Sequence, residues 1–291
     1  MQEKRVKVNQ IELQVREYEQ EGEPIIFLHF SGANLMMWQR AIPYFQNQFH
    51  IFLVDLRGHG KSDQPATGYH MDDMASDVIE MMRQLNLEKA HIIGTSMGAE
   101  VGLSLAANHP ESVLSLVCDG ALSSEFGPFS TWEGTQAAYD EHVSQQLEKM
   151  RGRPETDYPS VDALVEASQK ILDDWWNPYV EAVERYGAFI IEEGKVTKAF
   201  QKRARIDYME NYFQYRLEDY YRKVVCPFLM ISEVVENERE KTVMEALRKL
   251  ARQATIVEVK DWIHPYGWML NPDTMCQTIL KFLGDTTSRI K

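Results

Sequence analysis

The chain has 291 residues, enough for one α/β core with a large insertion or for two small domains, and long enough to bury a sizeable core. Its formal net charge is −13, from 31 Lys and Arg against 44 Asp and Glu, which argues against nucleic acid or an anionic membrane as a general partner. The three cysteines, Cys118, Cys226 and Cys276, lack the number and spacing of a disulfide framework or a zinc site, and are expected as buried free thiols.

The N-terminal residues alternate charged and apolar side chains and carry no apolar core of signal-peptide length. No stretch approaches the ~20 apolar residues of a membrane span, so a cytoplasmic protein without a membrane span is expected. Arg5 to Asn9 and Ile11 to Tyr18 alternate and meet at Asn9-Gln10, which predicts a hairpin. Five short apolar runs follow that read as strands buried on both faces: 24–29, 50–55, 90–94, 113–118 and 227–232. A sixth strand is expected at 255–259.

Helical patterns lie between them. Residues 71–85 place apolar side chains at 74, 78, 81, 82 and 85, a spacing near 3.6. Further helices are expected at 101–108, 236–251 and 272–283. Such alternation predicts a mostly parallel sheet covered on both faces, with the N-terminal hairpin adding antiparallel strands at one edge. From 122 to 224 the alternation stops. That stretch is rich in helix formers and aromatics, with an Asn177-Pro178 helix start and a turn at 192–195. The division expected is a core of 1–121 and 225–291 with a helical cap of 122–224.

Gly94-Thr95-Ser96-Met97-Gly98 follows one buried strand and precedes a helical segment. A serine on such a tight strand-to-helix turn presents its hydroxyl outside the sheet, and bulky side chains at 94 or 98 would strike the neighbouring helix and strand. A serine hydroxyl needs a base, and the base an orienting acid. Three histidines lie downstream. His109 ends the helix after the serine, and His142 sits in a charged stretch of the cap. His264 lies in a loop beyond the sixth strand, on the edge where open α/β sheets keep their sites.

With these motifs the core resembles the α/β-hydrolase superfamily. Residues 94–98 look like its nucleophile elbow, Leu28-His29-Phe30-Ser31-Gly32 like its oxyanion loop, and residues 55–63 like its Asp-x-Arg-Gly-x-Gly-x-Ser loop. His264 stands where its catalytic histidine does. The resemblance implies Ser96 as nucleophile, His264 as base, and the backbone N–H groups of Ser31 and Met97 as oxyanion donors. It implies no metal or organic cofactor, and a mainly structural role for residues 55–63.

The chain departs from the pattern twice. Phe30 replaces the usual glycine, and either reshapes the oxyanion hole or simply packs. After the 227–232 strand the usual Gly-x-x-Asp is replaced by Glu233-Val234-Val235-Glu236. Family spacing puts the acid at Glu236; Asp119, just past the 113–118 strand, and Glu233 are the rivals. Among cap and loop aromatics, Trp175, Trp176, Tyr266 and Trp268 are candidates for lining the site.

The function expected is hydrolysis of a small to medium, partly apolar ester, thioester or lactone through an acyl-enzyme. A serine at 96 argues against the dehalogenases and epoxide hydrolases of the superfamily, which use a carboxylate there. Carbon–carbon bond hydrolysis by the same triad and a ligand-binding sensor with little turnover are the alternatives.

Overall fold

A computed structural model describes residues 1–120, 122–191 and 194–290. The chain opens with β1 (Gln2–Val8) and β2 (Ile11–Tyr18), an antiparallel hairpin turning at Asn9, whose φ of 47° is the left-handed conformation Asn tolerates. Then come β3 (Pro24–Leu28), α1 (Ile42–Phe45), β4 (His50–Val54), α2 (Met71–Gln84), β5 (Ala90–Thr95), α3 (Met97–Asn108) and β6 (Val113–Asp119). The segment after β6 holds α4 (Gln136–Gly152), α5 (Val161–Leu172), α6 (Pro178–Tyr186), β7 (Ala188–Ile190), β8 (Val196–Lys198), α7 (Lys202–Tyr212) and α8 (Leu217–Tyr221). The core resumes with β9 (Phe228–Ser232), α9 (Glu238–Leu250), β10 (Ala254–Glu258), α10 (Gly267–Leu270) and α11 (Asp273–Ile290).

Eight strands form one sheet in the order β1-β2-β4-β3-β5-β6-β9-β10. Only the pairings of β2 are antiparallel; every other neighbouring pair is parallel. The continuous apolar runs lie where both faces are covered. All six residues of β5 are buried, and so are Ile25–Leu28 of β3 and Ile51–Val54 of β4. One face is packed by α2, α3, α8 and α9 through Met74, Val78, Leu103, Tyr221 and Leu247. The other is packed by α1, α10 and α11 through Phe45, Trp268, Ile279 and Leu283. The three cysteines are free and buried, as expected.

From β3 the chain moves to β4 on one side and later to β5 on the other. That reversal opens a crevice at the C-terminal ends of β3 and β5, where doubly wound sheets bind their ligands. The loop carrying His29 leaves β3 there and Ser96 leaves β5 there.

The segment between β6 and β9 is mainly helical. Asn177 caps α6 ahead of Pro178, accepting hydrogen bonds from the N–H groups of Tyr179 and Val180. The short antiparallel pair β7–β8 is an addition to the helical cap expected; of the turn expected at 192–195, Glu192 and Glu193 lie outside the described residues. Side chains tie this segment to the core. The Asp207 carboxylate accepts the N–H of Tyr69, the Tyr215 hydroxyl accepts the N–H of Met71, and Asn34 donates to the carbonyl of Val183. Among the described residues no helix is long and apolar enough to cross a membrane.

Candidate active site

Ser96 has φ 51° and ψ −122°, in the left-handed half of conformational space that a non-glycine residue occupies only under constraint. The constraint is visible. Its N–H donates to the carbonyl of Asp119 at 2.9 Å, and α3 starts at the next residue, so the serine is pinned between the ends of β5 and β6. The flanking glycines meet the expected obstacles. A Cβ at Gly94 would lie 2.1 Å from the carbonyl oxygen of Gly98, and one at Gly98 would lie 2.1 Å from that of Leu28. The N–H of Met97, at the first turn of α3, points from the helix end where an anion is stabilised.

Asp119 ends β6 in register with Thr95, one residue before the serine. It is 1 % exposed, and four donors reach its carboxylate. Oδ1 accepts from Trp262 Nε1 at 3.0 Å and from His264 Nδ1 at 3.2 Å. Oδ2 accepts from Thr95 Oγ1 and from Trp268 Nε1, both at 2.8 Å. A carboxylate buried this deeply is tolerable only when its lone pairs are met. The pairing fixes the tautomer of His264: Nδ1 carries the proton, and Nε2 keeps its lone pair. The ring leans on Gly120, where a Cβ would lie 2.7 Å from Nε2, so a side chain at 120 would displace the imidazole. Among the described residues no hydrogen bond joins Ser96 Oγ to His264; catalytic contacts of this kind commonly tighten only with substrate in place.

The structure thus pairs His264 with Asp119 and not with Glu236, a correction to the sequence expectation. The residues after β9 are otherwise employed. Glu233 turns back to accept the backbone N–H of His264 at 2.9 Å, and Asn237 caps α9 by accepting the N–H groups of Arg239 and Glu240. Glu236 is left exposed just ahead of that cap, on a cavity of about 620 Å³ that His264 also lines.

The loop that follows β3 is held by two buried neutral histidines. His29 donates from Nδ1 to the carbonyl of Phe30 and accepts the N–H of Leu56 at Nε2; burial pushes its pKa down to about 4. His59 donates to the carbonyl of Arg57 and accepts the N–H of Gly32 at 3.0 Å; burial, then the neighbouring His29, holds it well below the ordinary range. The Gly32 N–H is thus taken, and its neighbour Ser31 lies on a cavity. Phe30 packs on Tyr266, ring centroids 5.6 Å apart, and both border a cavity of about 230 Å³ beside Ser31 that Val183, Phe200 and Met269 close from the other side.

Residues 55–63 are scaffolding. Asp55 accepts the N–H groups of Leu35 and Lys61, and Arg57 grips Asp77 through two nitrogens at 2.6 and 2.7 Å. Gly60, at φ 51°, faces the Asp55 carboxyl, which a Cβ would approach to 2.1 Å.

Residues 23–153 match the family described as alpha/beta hydrolase fold. Among solved structures, E-2-(acetamidomethylene)succinate hydrolase superposes with a TM-score of 0.76 over 97 % of this chain and 98 % of its own, at 22 % identity. The chain has the α/β-hydrolase fold. Among curated relatives, a fluoroacetate dehalogenase of Burkholderia sp. is 39 % identical over 100 residues, 33 % of each chain. A 3-oxoadipate enol-lactonase of Acinetobacter baylyi is 34 % identical over 109 residues, 38 % of this chain and 40 % of its own. The matches thus span well under half the length of these relatives.

Within this α/β-hydrolase fold, three side chains bind Asp119 that no sequence motif marks as its partners. Thr95, Trp262 and Trp268 all bind Asp119, and Trp268, expected to line the site, is fully buried behind the acid instead. Trp175 does stand over Tyr266, centroids 5.0 Å apart. Trp176 packs against the core of the α11 face. His109 and His142 are occupied elsewhere: His109 lies 3.9 Å from Glu111, and the His142 ring 5.1 Å from that of Trp132.

One turn along α3 from the serine, Glu100 is fully buried and accepts the Tyr208 hydroxyl at 2.9 and 3.1 Å. Burial pushes its pKa from 4.5 up to about 8; the Tyr208 bond opposes the rise and Glu125 adds to it. The folded state therefore prefers the protonated acid. That preference contributes stability in full below about pH 4.5, and the contribution is lost as pH rises through 8. Its ceiling is on the order of 5 kcal/mol. Glu100→Gln keeps the shape without the titration, so its Tm relative to wild type should climb from about pH 5 to about pH 8 and level off above that. A difference independent of pH would mean that Glu100 is ionised throughout.

Proposed function

We propose that the chain is a serine hydrolase cleaving a small to medium, partly apolar ester, thioester or lactone. The observation that carries this is the convergence of a strained, half-buried strand-to-helix turn at Ser96 with a His264–Asp119 pair on the adjoining strand end. Ser96 Oγ attacks the carbonyl carbon as His264 Nε2 takes its proton. The N–H groups of Met97 and Ser31 hold the oxyanion, and loss of one such donor typically costs ~10²–10³ in rate. His264 returns the proton to the leaving group and then activates water to release the acid. Asp119 holds the imidazolium without taking a proton. Residues 122–224 act as the lid, with Val183 and Phe200 giving the acyl side an apolar wall.

A serine at position 96 sets this chain apart from chemistry that needs a carboxylate nucleophile, despite its likeness to a fluoroacetate dehalogenase. The likeness to an enol-lactonase fits a lactone or enol ester. A fluorophosphonate probe tests the reading. Wild type should label, Ser96→Ala should not, and a panel of p-nitrophenyl esters and γ-lactones should show turnover that labelling abolishes. A folded wild-type protein that neither labels nor turns over any of them would point to ligand binding without catalysis.

A further inference from the structure

We infer that Trp262 and Trp268 are positioning residues that hook the histidine loop onto Asp119 and set how strongly that carboxylate holds the imidazolium. The inference rests on the serine-hydrolase reading of Ser96, His264 and Asp119. The loop presents three N–H donors to one buried carboxylate: Trp262 and His264 to Oδ1, and Trp268 to Oδ2, where Thr95 completes the set. The indoles sit two residues before and four after the histidine, so the imidazole is suspended between two anchors on the group it must face.

The local sequence is built around that arrangement. The two indoles meet edge to face at 5.3 Å, and a Cβ at Gly267 would come within 2.5 Å of the Trp262 ring. Both Trp side chains are buried, at 6 and 0 % exposure. Their N–H groups do two things. They fix the plane of the carboxylate, and they draw off part of its charge, since a carboxylate sharing its lone pairs among four donors holds each more weakly. Other groups around the pair are Glu233 on the His264 backbone, Glu125, Glu236 and Glu240 on the adjoining cavity, and the buried thiol of Cys118 beside Asp119.

β-(3-Benzothienyl)alanine tests this, because it keeps the bicyclic shape of Trp and replaces N–H by sulfur. Introduced at 268 or at 262, it should lower kcat about tenfold, the order expected for one lost hydrogen bond to a charged group. KM should stay within about twofold, and the acid limb of the kcat/KM profile should move to higher pH, because the less-shared carboxylate holds the imidazolium more tightly. The same analogue at Trp38 is the control. Trp38 packs on Trp268 at 4.7 Å, yet its Nε1 has no partner among the described residues, so kcat and the profile should not change. If the analogue at 268 prevents folding, the one at 262 reads the same effect through Oδ1. Unchanged kcat and profile at both sites, with Asp119→Asn still inactive, would overturn the inference and leave the triad intact. An active Asp119→Asn would overturn the triad itself.

Discussion

Asp119→Asn should lower kcat on an activated ester by about 10⁴, while Glu236→Gln should leave it within about twofold. The amide keeps the size of the acid but changes what it offers. In the wild type both carboxylate oxygens accept, from four donors at 2.8 to 3.2 Å. An amide has one oxygen and one NH₂. Whichever way it turns, its NH₂ faces at least two of those donors. If the nitrogen lies toward His264, the imidazole must present a lone pair from Nδ1, and the proton moves to Nε2, where the base is needed. If it lies toward Thr95 and Trp268, an indole N–H is left buried against another donor, at a cost of roughly 1–3 kcal/mol. Either outcome removes the compensating charge for the imidazolium. Glu236 has none of these contacts. Steady-state kcat for the two variants, with circular dichroism to confirm folding, separates the assignments; a larger loss at Glu236 would restore the acid to the loop after β9.

The same comparison shows how far the sequence was legible. The strands at the middle of the sheet were readable because Ile25–Leu28, Ile51–Val54 and Ile92–Ile93 are buried on both faces, and burial on both faces leaves no polar alternation to misread. The elbow was readable because the collisions at Gly94 and Gly98 are local consequences of a strand turning into a helix. The carboxylate that meets His264 was not, because its identity depends on which strand lies next to β5. The register Thr95↔Asp119 is a tertiary fact, and spacing along the chain carries no trace of it. A signal existed in an acid followed by Gly120 at the end of a doubly buried strand, together with two tryptophans bracketing His264, whose N–H groups need a buried acceptor. The β7–β8 pair escaped for a simpler reason: three residues per strand are too few for periodicity to register.

Gly98→Ala should destabilise the protein by about 3 kcal/mol or more and should also depress activity in whatever fraction remains folded. The added Cβ would lie 2.1 Å from the carbonyl oxygen of Leu28 and 2.8 Å from that of His29. Both obstacles are backbone, so no rotamer change relieves them; either α3 must lift away from β3 or the end of β3 must move. α3 begins with Met97 and is anchored by the Tyr208–Glu100 contact. The end of β3 leads into Phe30 and Ser31, and is tied to the His29 and His59 rings. Each route of relief therefore shifts one of the two proposed oxyanion donors relative to the other. Stability and transition-state binding should fall together, with kcat lost at nearly unchanged KM. Gly152→Ala provides the contrast. It ends α4 with nothing within 4 Å of the new methyl group, and should be neutral or stabilising by about 0.5 kcal/mol. Thermal melts of the two variants, paired with kcat per folded molecule from active-site titration, would measure both effects. A Gly98→Ala protein as stable and active as wild type would mean that α3 and β3 are not in the close contact that aims Ser96.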